Sequence, residues 1–220
     1  MAASGVRPES LSDVHTFRDY SKPLLDLLES DLPEGETVIL VGQSFGGINM
    51  ALTMETFPEK ISTAVFVTAL MPDCSSPPSS VFDQCVAMTA PDILLDTEFS
   101  RENNKTLMIL GPRCLRLHGS QNCSPRDQTL VEMLGRPGTL FSEDLSVSLK
   151  LSEEKYGSVR RVYVVCKEDN LYPEEFQRWM IKNNPPEVVM EIEGADHMPM
   201  LSKPNELSLC LLKMEEEDGN

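Results

Sequence analysis

At 220 residues the chain is long enough to bury one sizeable core, and it argues for a single α/β domain over residues 1–220. Hydrophobic residues make up 40% and charged residues 25%, the balance of a soluble globular protein. With 19 basic against 35 acidic residues the net charge is −16, which argues against nucleic-acid and anionic-membrane partners, since both need a basic face.

The six cysteines (Cys74, Cys85, Cys114, Cys123, Cys166 and Cys210) are scattered, with no C-x-x-C pair and no His/Cys ligand spacing. They read as reduced thiols of a cytosolic protein. The first eight residues hold no apolar signal-peptide core, and no run approaches the length of a transmembrane helix.

In chain order, residues 1–10 read as a loop. Over 12–29, Phe17, Tyr20, Leu24, Leu25, Leu27 and Leu28 predict an amphipathic helix, with Pro23 as a kink or early boundary. Residues 38–41 are a short apolar run rich in β-branched side chains, the pattern of a buried strand. Gly42-Gln43-Ser44-Phe45-Gly46 follows at once and matches the G-x-S-x-G nucleophile elbow. Such an elbow turns sharply from strand to helix and exposes the serine hydroxyl. Side chains at Gly42 or Gly46 are expected to collide with their neighbours, and Gly47 lets the helix approach the sheet. The helix then carries Ile48, Ala51, Leu52 and Met54 and ends at Pro58.

Residues 62–70 predict a second buried strand. The stretch 73–156 changes character: Ser and Pro cluster at 75–80, short helices follow, and no strong strand run stands out. This reads as a helical insertion, or lid. Strands at 161–166 and 188–192 flank a helix over 173–183 with Pro173 in its first turn. A last amphipathic helix covers 204–214, and residues 215–220 read as a solvated acidic tail. Alternating strands and helices imply a parallel sheet covered on both faces.

In such sheets chemistry gathers at the carboxyl ends of the strands. Ser44 follows the first strand, Glu168 and Asp169 the third, and His197 the fourth. Serine needs a base to take its proton, imidazole serves near neutral pH, and a carboxylate orients the imidazole. Asp169 is the favoured carboxylate, with Glu168 and Asp196 as rivals. The chain order Ser, Asp, His suits this fold. The other histidines, His15 and His118, follow no strand. The mechanism calls for no metal and no cofactor.

The chain also resembles the plant methylesterase and hydroxynitrile lyase family of α/β-hydrolases. The likeness lies in HTFRDYSKPLLDLL at 15–28, VGQSFGG at 41–47, FPEKISTAVFVTALMPD at 57–73, CKEDNLYPEEFQRWMI at 166–181 and GADHMPML at 194–201. It implies a lidded hydrolase that cleaves methyl esters of small plant signalling acids such as salicylate, jasmonate or indole-3-acetate. Ser44, Asp169 and His197 match the family's triad position by position. Lyase members carry a lysine after the histidine; Met198 stands there, which favours the esterase branch. Gln43 replaces a histidine common before the nucleophile. An apolar pocket for the acyl group is expected from Phe82, Met108, Leu140 and Phe141 of the lid, together with Met198.

Family members begin with a strand, a His-Gly loop, a helix and a further strand ahead of the segment matching Met1–Gly5, so the resemblance implies an N-terminally truncated version of the fold. Two expectations follow. One oxyanion donor is the Phe45 N–H, and its usual partner belongs to that loop. The elbow strand becomes an exposed sheet edge, open to pairing with another chain as in a homodimer. Two readings therefore stand: an esterase, or a catalytically impaired relative that binds a small acid.

Overall fold

The computed structural model describes residues 1–90, 92–102 and 105–218. A 3-10 turn (Leu11–Asp13) precedes helix α1 (Phe17–Asp26), which starts later than the apolar spacing suggests. Thr16 sets the start. Its hydroxyl accepts from the Asp19 N–H while the Asp19 carboxylate accepts from the Thr16 N–H, each at 3.0 Å. Pro23 sits inside the helix without ending it, and the chain then widens into a π-type turn, Leu27–Asp31.

Strand β1 (Val38–Ser44) leads into α2 (Gly46–Thr56), and β2 (Ile61–Ala69) follows. The segment between β2 and the next core strand holds α3 (Ser80–Met88), β3 (Glu98–Glu102), β4 (Lys105–Ile109), α4 (Pro112–Cys114), α5 (Pro125–Leu134), β5 (Gly138–Thr139) and α6 (Ser142–Val147). The core resumes with β6 (Arg160–Cys166), α7 (Glu174–Asn183), β7 (Val188–Ile192), α8 (Pro199–Ser202) and α9 (Pro204–Asp218). Side chains from Glu215 on, where an acidic tail was expected, lie outside the described residues, as do residues 219–220 altogether.

The core sheet is parallel, in the order β1-β2-β6-β7. Strand β2 is buried almost throughout and sorts its side chains by period two. Ala64 and Phe66 face a core shared with Phe17 and Leu25 of α1, Ile48 and Met50 of α2, and Phe176 and Met180 of α7. Val65 and Val67 face a second core with Val162, Val164, Ile192 and, from α9, Cys210 and Met214. Among the described residues β1 is the edge of this sheet, and Val41 at its middle is 45% exposed.

The insertion is not wholly helical. Strands β3, β4 and β5 form a separate antiparallel sheet, with Phe99 opposite Met108 and Gly138 opposite Met108 on the other side. Strands β3 and β5 escape sequence reading because Glu98-Phe-Ser-Arg-Glu102 has no apolar run and β5 is only two residues long, and β4 carries only the brief run Leu107-Met-Ile109. Backbone pairing, rather than burial on two faces, defines them.

Candidate active site

Ser44 ends β1 with φ at 56°, a left-handed conformation that a non-glycine residue adopts only when its surroundings impose it. Two glycines make that turn. A Cβ on Gly42 would lie 2.2 Å from the Met50 sulfur, and one on Gly47 would lie 2.0 Å from the Leu70 carbonyl oxygen. Gly47 is thus where α2 meets the sheet, held also by the Leu70 N–H donating to the Ser44 carbonyl at 3.0 Å. Gly46 differs from expectation: a Cβ there meets nothing within 4 Å outside its own turn, so it does not enforce the bend.

Around Ser44 the strand ends bring three side chains together. His197 Nε2 lies 2.8 Å from Ser44 Oγ, and His197 Nδ1 lies 2.7 Å from Asp169 Oδ2. With Nδ1–H donating to the carboxylate, Nε2 is left to accept from the serine hydroxyl. His197 and Asp169 are both buried, at 3% and 2% exposure. Asp169 Oδ1 accepts from the Leu171 and Tyr172 N–H groups, each at 2.8 Å, and Oδ2 accepts from the Thr68 hydroxyl at 2.5 Å. The carboxylate is satisfied on both oxygens, which holds it oriented.

Neither rival carboxylate reaches His197. Glu168 points outward and accepts from Asn122 Nδ2 at 2.8 Å. Asp196 is buried and ties the insertion to the loop that carries His197. It accepts from the Asn122 N–H at 2.9 Å, the Met198 N–H at 2.9 Å, the Ser202 hydroxyl at 2.8 Å and the Cys123 thiol.

Three contacts here were invisible in the sequence. Gln43, a variable position of the motif, donates from Nε2 to the His197 carbonyl at 2.7 Å and so ties the elbow to the histidine loop. Thr68 reaches Asp169 from the middle of an apolar stretch. Tyr172 sets its ring edge-on to the His197 imidazole, centroids 4.8 Å apart. Burial pushes the Tyr172 hydroxyl far up, partly offset by its interaction with the Ser44 hydroxyl. The Cys85 thiol, on α3 nearby, is pushed up to about 12 by burial and by the Asp169 charge, so it stays protonated.

The expected pocket residues divide. Phe82 stacks on Phe45 at 5.7 Å, and Phe45 meets Phe17 and Tyr20 edge-on; Phe141 packs on Phe17 and Tyr20. These rings form one aromatic cluster around Phe45, the residue after Ser44. Met108, Leu140 and Phe141 line a cavity of about 410 Å³ that His15, Phe99 and Lys105 also border. Met198 is half-buried and stands just ahead of α8, beside His197.

Residues 3–208 match the model of the alpha/beta hydrolase family. The chain belongs to that family. It is 46% identical to polyneuridine aldehyde esterase of Rauvolfia serpentina, over 98% of this chain and 83% of that protein. A crystal structure of polyneuridine aldehyde esterase superposes with a TM-score of 0.95 at 45% identity, over 98% of this chain and 86% of that one. Methylesterase 1 of Arabidopsis thaliana is 47% identical over 99% of this chain and 84% of its own length. The alpha-hydroxynitrile lyase of the same plant is 49% identical over 94% and 81%. Within the family the chain therefore sits with the plant methylesterases, polyneuridine aldehyde esterase and hydroxynitrile lyase. Among the described residues no helix is long and apolar enough to cross a membrane, and no group of three or more His, Cys, Asp or Glu could hold a metal ion.

Proposed function

We propose that this chain is a serine carboxylesterase that hydrolyses methyl esters of small acids of the salicylate, jasmonate or indole-3-acetate type. One observation carries the reading: Ser44, His197 and Asp169 form an unbroken hydrogen-bonded chain at the carboxyl ends of three parallel strands. Ser44 Oγ attacks the ester carbon as its proton passes to His197 Nε2, and Asp169 stabilises the imidazolium. The electron pair moves onto the carbonyl oxygen, which the Phe45 N–H and the positive end of α2 receive. Collapse expels methoxide, which takes the proton from Nε2 and leaves as methanol. Water then attacks the acyl-enzyme by the same route and releases the acid.

In this reading residues 73–156 act as the lid, with Phe82 and Met198 nearest the reacting centre; Met108, Leu140 and Phe141 are assigned to the acyl side, from a cavity whose lining does not include Ser44, Asp169 or His197. Relatives named as esterases and a methylesterase support the ester chemistry, and Met198 in place of lysine weighs against the lyase branch. The free state of all six cysteines suits a cytoplasmic setting.

The second reading is a catalytically impaired relative that binds a small acid at the same site. Among the described residues β1 is the edge of the core sheet. The same edge suits pairing with a second copy. Hydrolysis of p-nitrophenyl acetate and methyl salicylate by the purified chain separates the readings. The esterase reading expects turnover that Ser44→Ala abolishes, and turnover unchanged in that variant contradicts it. Salicylate binding without turnover supports the impaired reading.

A further inference from the structure

Thr68, at the carboxyl end of β2, holds a backbone conformation its residue type avoids. Its φ is 36°, in the left-handed region, and it is β-branched. The β1–β2 register slips at this point: Gln43 pairs with Val67 but Ser44 with Ala69, leaving Thr68 as the extra residue of a bulge. The side chain is fully buried, and its hydroxyl meets Asp169 Oδ2 at 2.5 Å, the same oxygen that receives His197 Nδ1–H at 2.7 Å. Strain of this kind persists only where the surroundings enforce it. Here the bulge aims a hydroxyl at the one carboxylate oxygen that faces the imidazole.

We infer that Thr68 is a positioning residue for Asp169. The inference rests on the triad reading above and extends it by one residue. With Oδ1 held by the Leu171 and Tyr172 N–H groups, the carboxylate plane is set from one side only. The Thr68 hydroxyl fixes the other oxygen, so that one direction remains open toward His197. It also shares the negative charge that the imidazole proton meets. Without it Asp169 Oδ2 is a buried charged oxygen with a single donor, free to turn away from Nδ1.

Thr68→Ala and Thr68→Val remove the hydroxyl, and Thr68→Ser keeps it. Each variant is compared with the unaltered chain for turnover, thermal unfolding and the downfield proton resonance of His197 Nδ1–H. Thr68→Ala and Thr68→Val are expected to lower kcat about 10-fold with KM within about twofold, while Thr68→Ser stays within about threefold. The Nδ1–H resonance is expected to move in the first two and to stay in the third. If Thr68→Val does not unfold cooperatively, the Ala and Ser pair decides. An unmoved resonance with unchanged kcat in Thr68→Ala overturns the inference, as does a Thr68→Ser that behaves like Thr68→Ala. Failure of the esterase reading looks different: the unaltered chain would not acylate Ser44, whereas a resonance shift in Thr68→Ala alone would still establish the hold on Asp169.

Discussion

The two sheets of this molecule are held by different means. In the parallel sheet, β2 and β6 are sandwiched between apolar cores on both faces, and the carboxyl ends of β1, β6 and β7 bring Ser44, Asp169 and His197 together through short hydrogen bonds. The antiparallel sheet of the insertion is short and half-covered, and charged residues stand along β3. The insertion around it joins the rest through Phe82, Phe141 and Leu145, which pack in the main core, and through specific ties. Glu55 of α2 accepts from the Ser152 N–H and hydroxyl, Asp196 accepts from the Asn122 N–H, and Phe82 stacks on Phe45. The difference teaches where each property resides. Changes at the strand ends should alter turnover, and changes in the insertion should alter substrate binding.

The largest expected effect breaks the strand-end side outright. Ser44→Ala should lower kcat/KM for a methyl ester by about 10⁵-fold, and Asp169→Asn by about 10⁴-fold, with little change in thermal unfolding. Steady-state kinetics on the purified variants reads both. Next is a test of the elbow's packing. Gly47→Ala places a Cβ against the Leu70 carbonyl and should cost about 3 kcal/mol in urea unfolding, whereas Gly46→Ala should stay within about 1 kcal/mol. Equal losses in the two variants would contradict the packing described.

A smaller effect belongs to Gln43. Gln43→Leu removes the donor to the His197 carbonyl and should lower kcat about 3- to 10-fold with KM nearly unchanged. The smallest lies in the insertion. Met108→Ala enlarges the cavity and should raise KM about threefold while kcat stays within about twofold. A fall in kcat without a change in KM would erase the division between the two regions.

That division also governs what the sequence disclosed. The buried parallel strands were legible because burial on both faces demands continuous apolar runs, as in residues 61–69 and 160–166. Ser44 and His197 were legible because each comes shortly after a strand-like run, at 38–41 and 188–192. Strands β3 and β5 were not, since Glu98-Phe-Ser-Arg-Glu102 carries no apolar run and β5 is two residues long. Gln43 and Thr68 were missed for a related reason. Each is a neutral polar residue whose partner lies more than 100 positions away, at His197 and Asp169. No local pattern records such a bond. Gly46 was misread because the motif treats its glycines alike, while only Gly42 and Gly47 of the three face crowding neighbours.

The central claim is that ester cleavage passes through Ser44, activated by His197. The most direct measurement is the mass of the intact chain and its peptides after rapid quenching with a slowly deacylating p-nitrophenyl ester. The account predicts one acyl group per folded molecule, on the peptide containing Ser44, and none in Ser44→Ala. An adduct on another residue, such as Cys85, or full turnover in Ser44→Ala without any adduct, would contradict it.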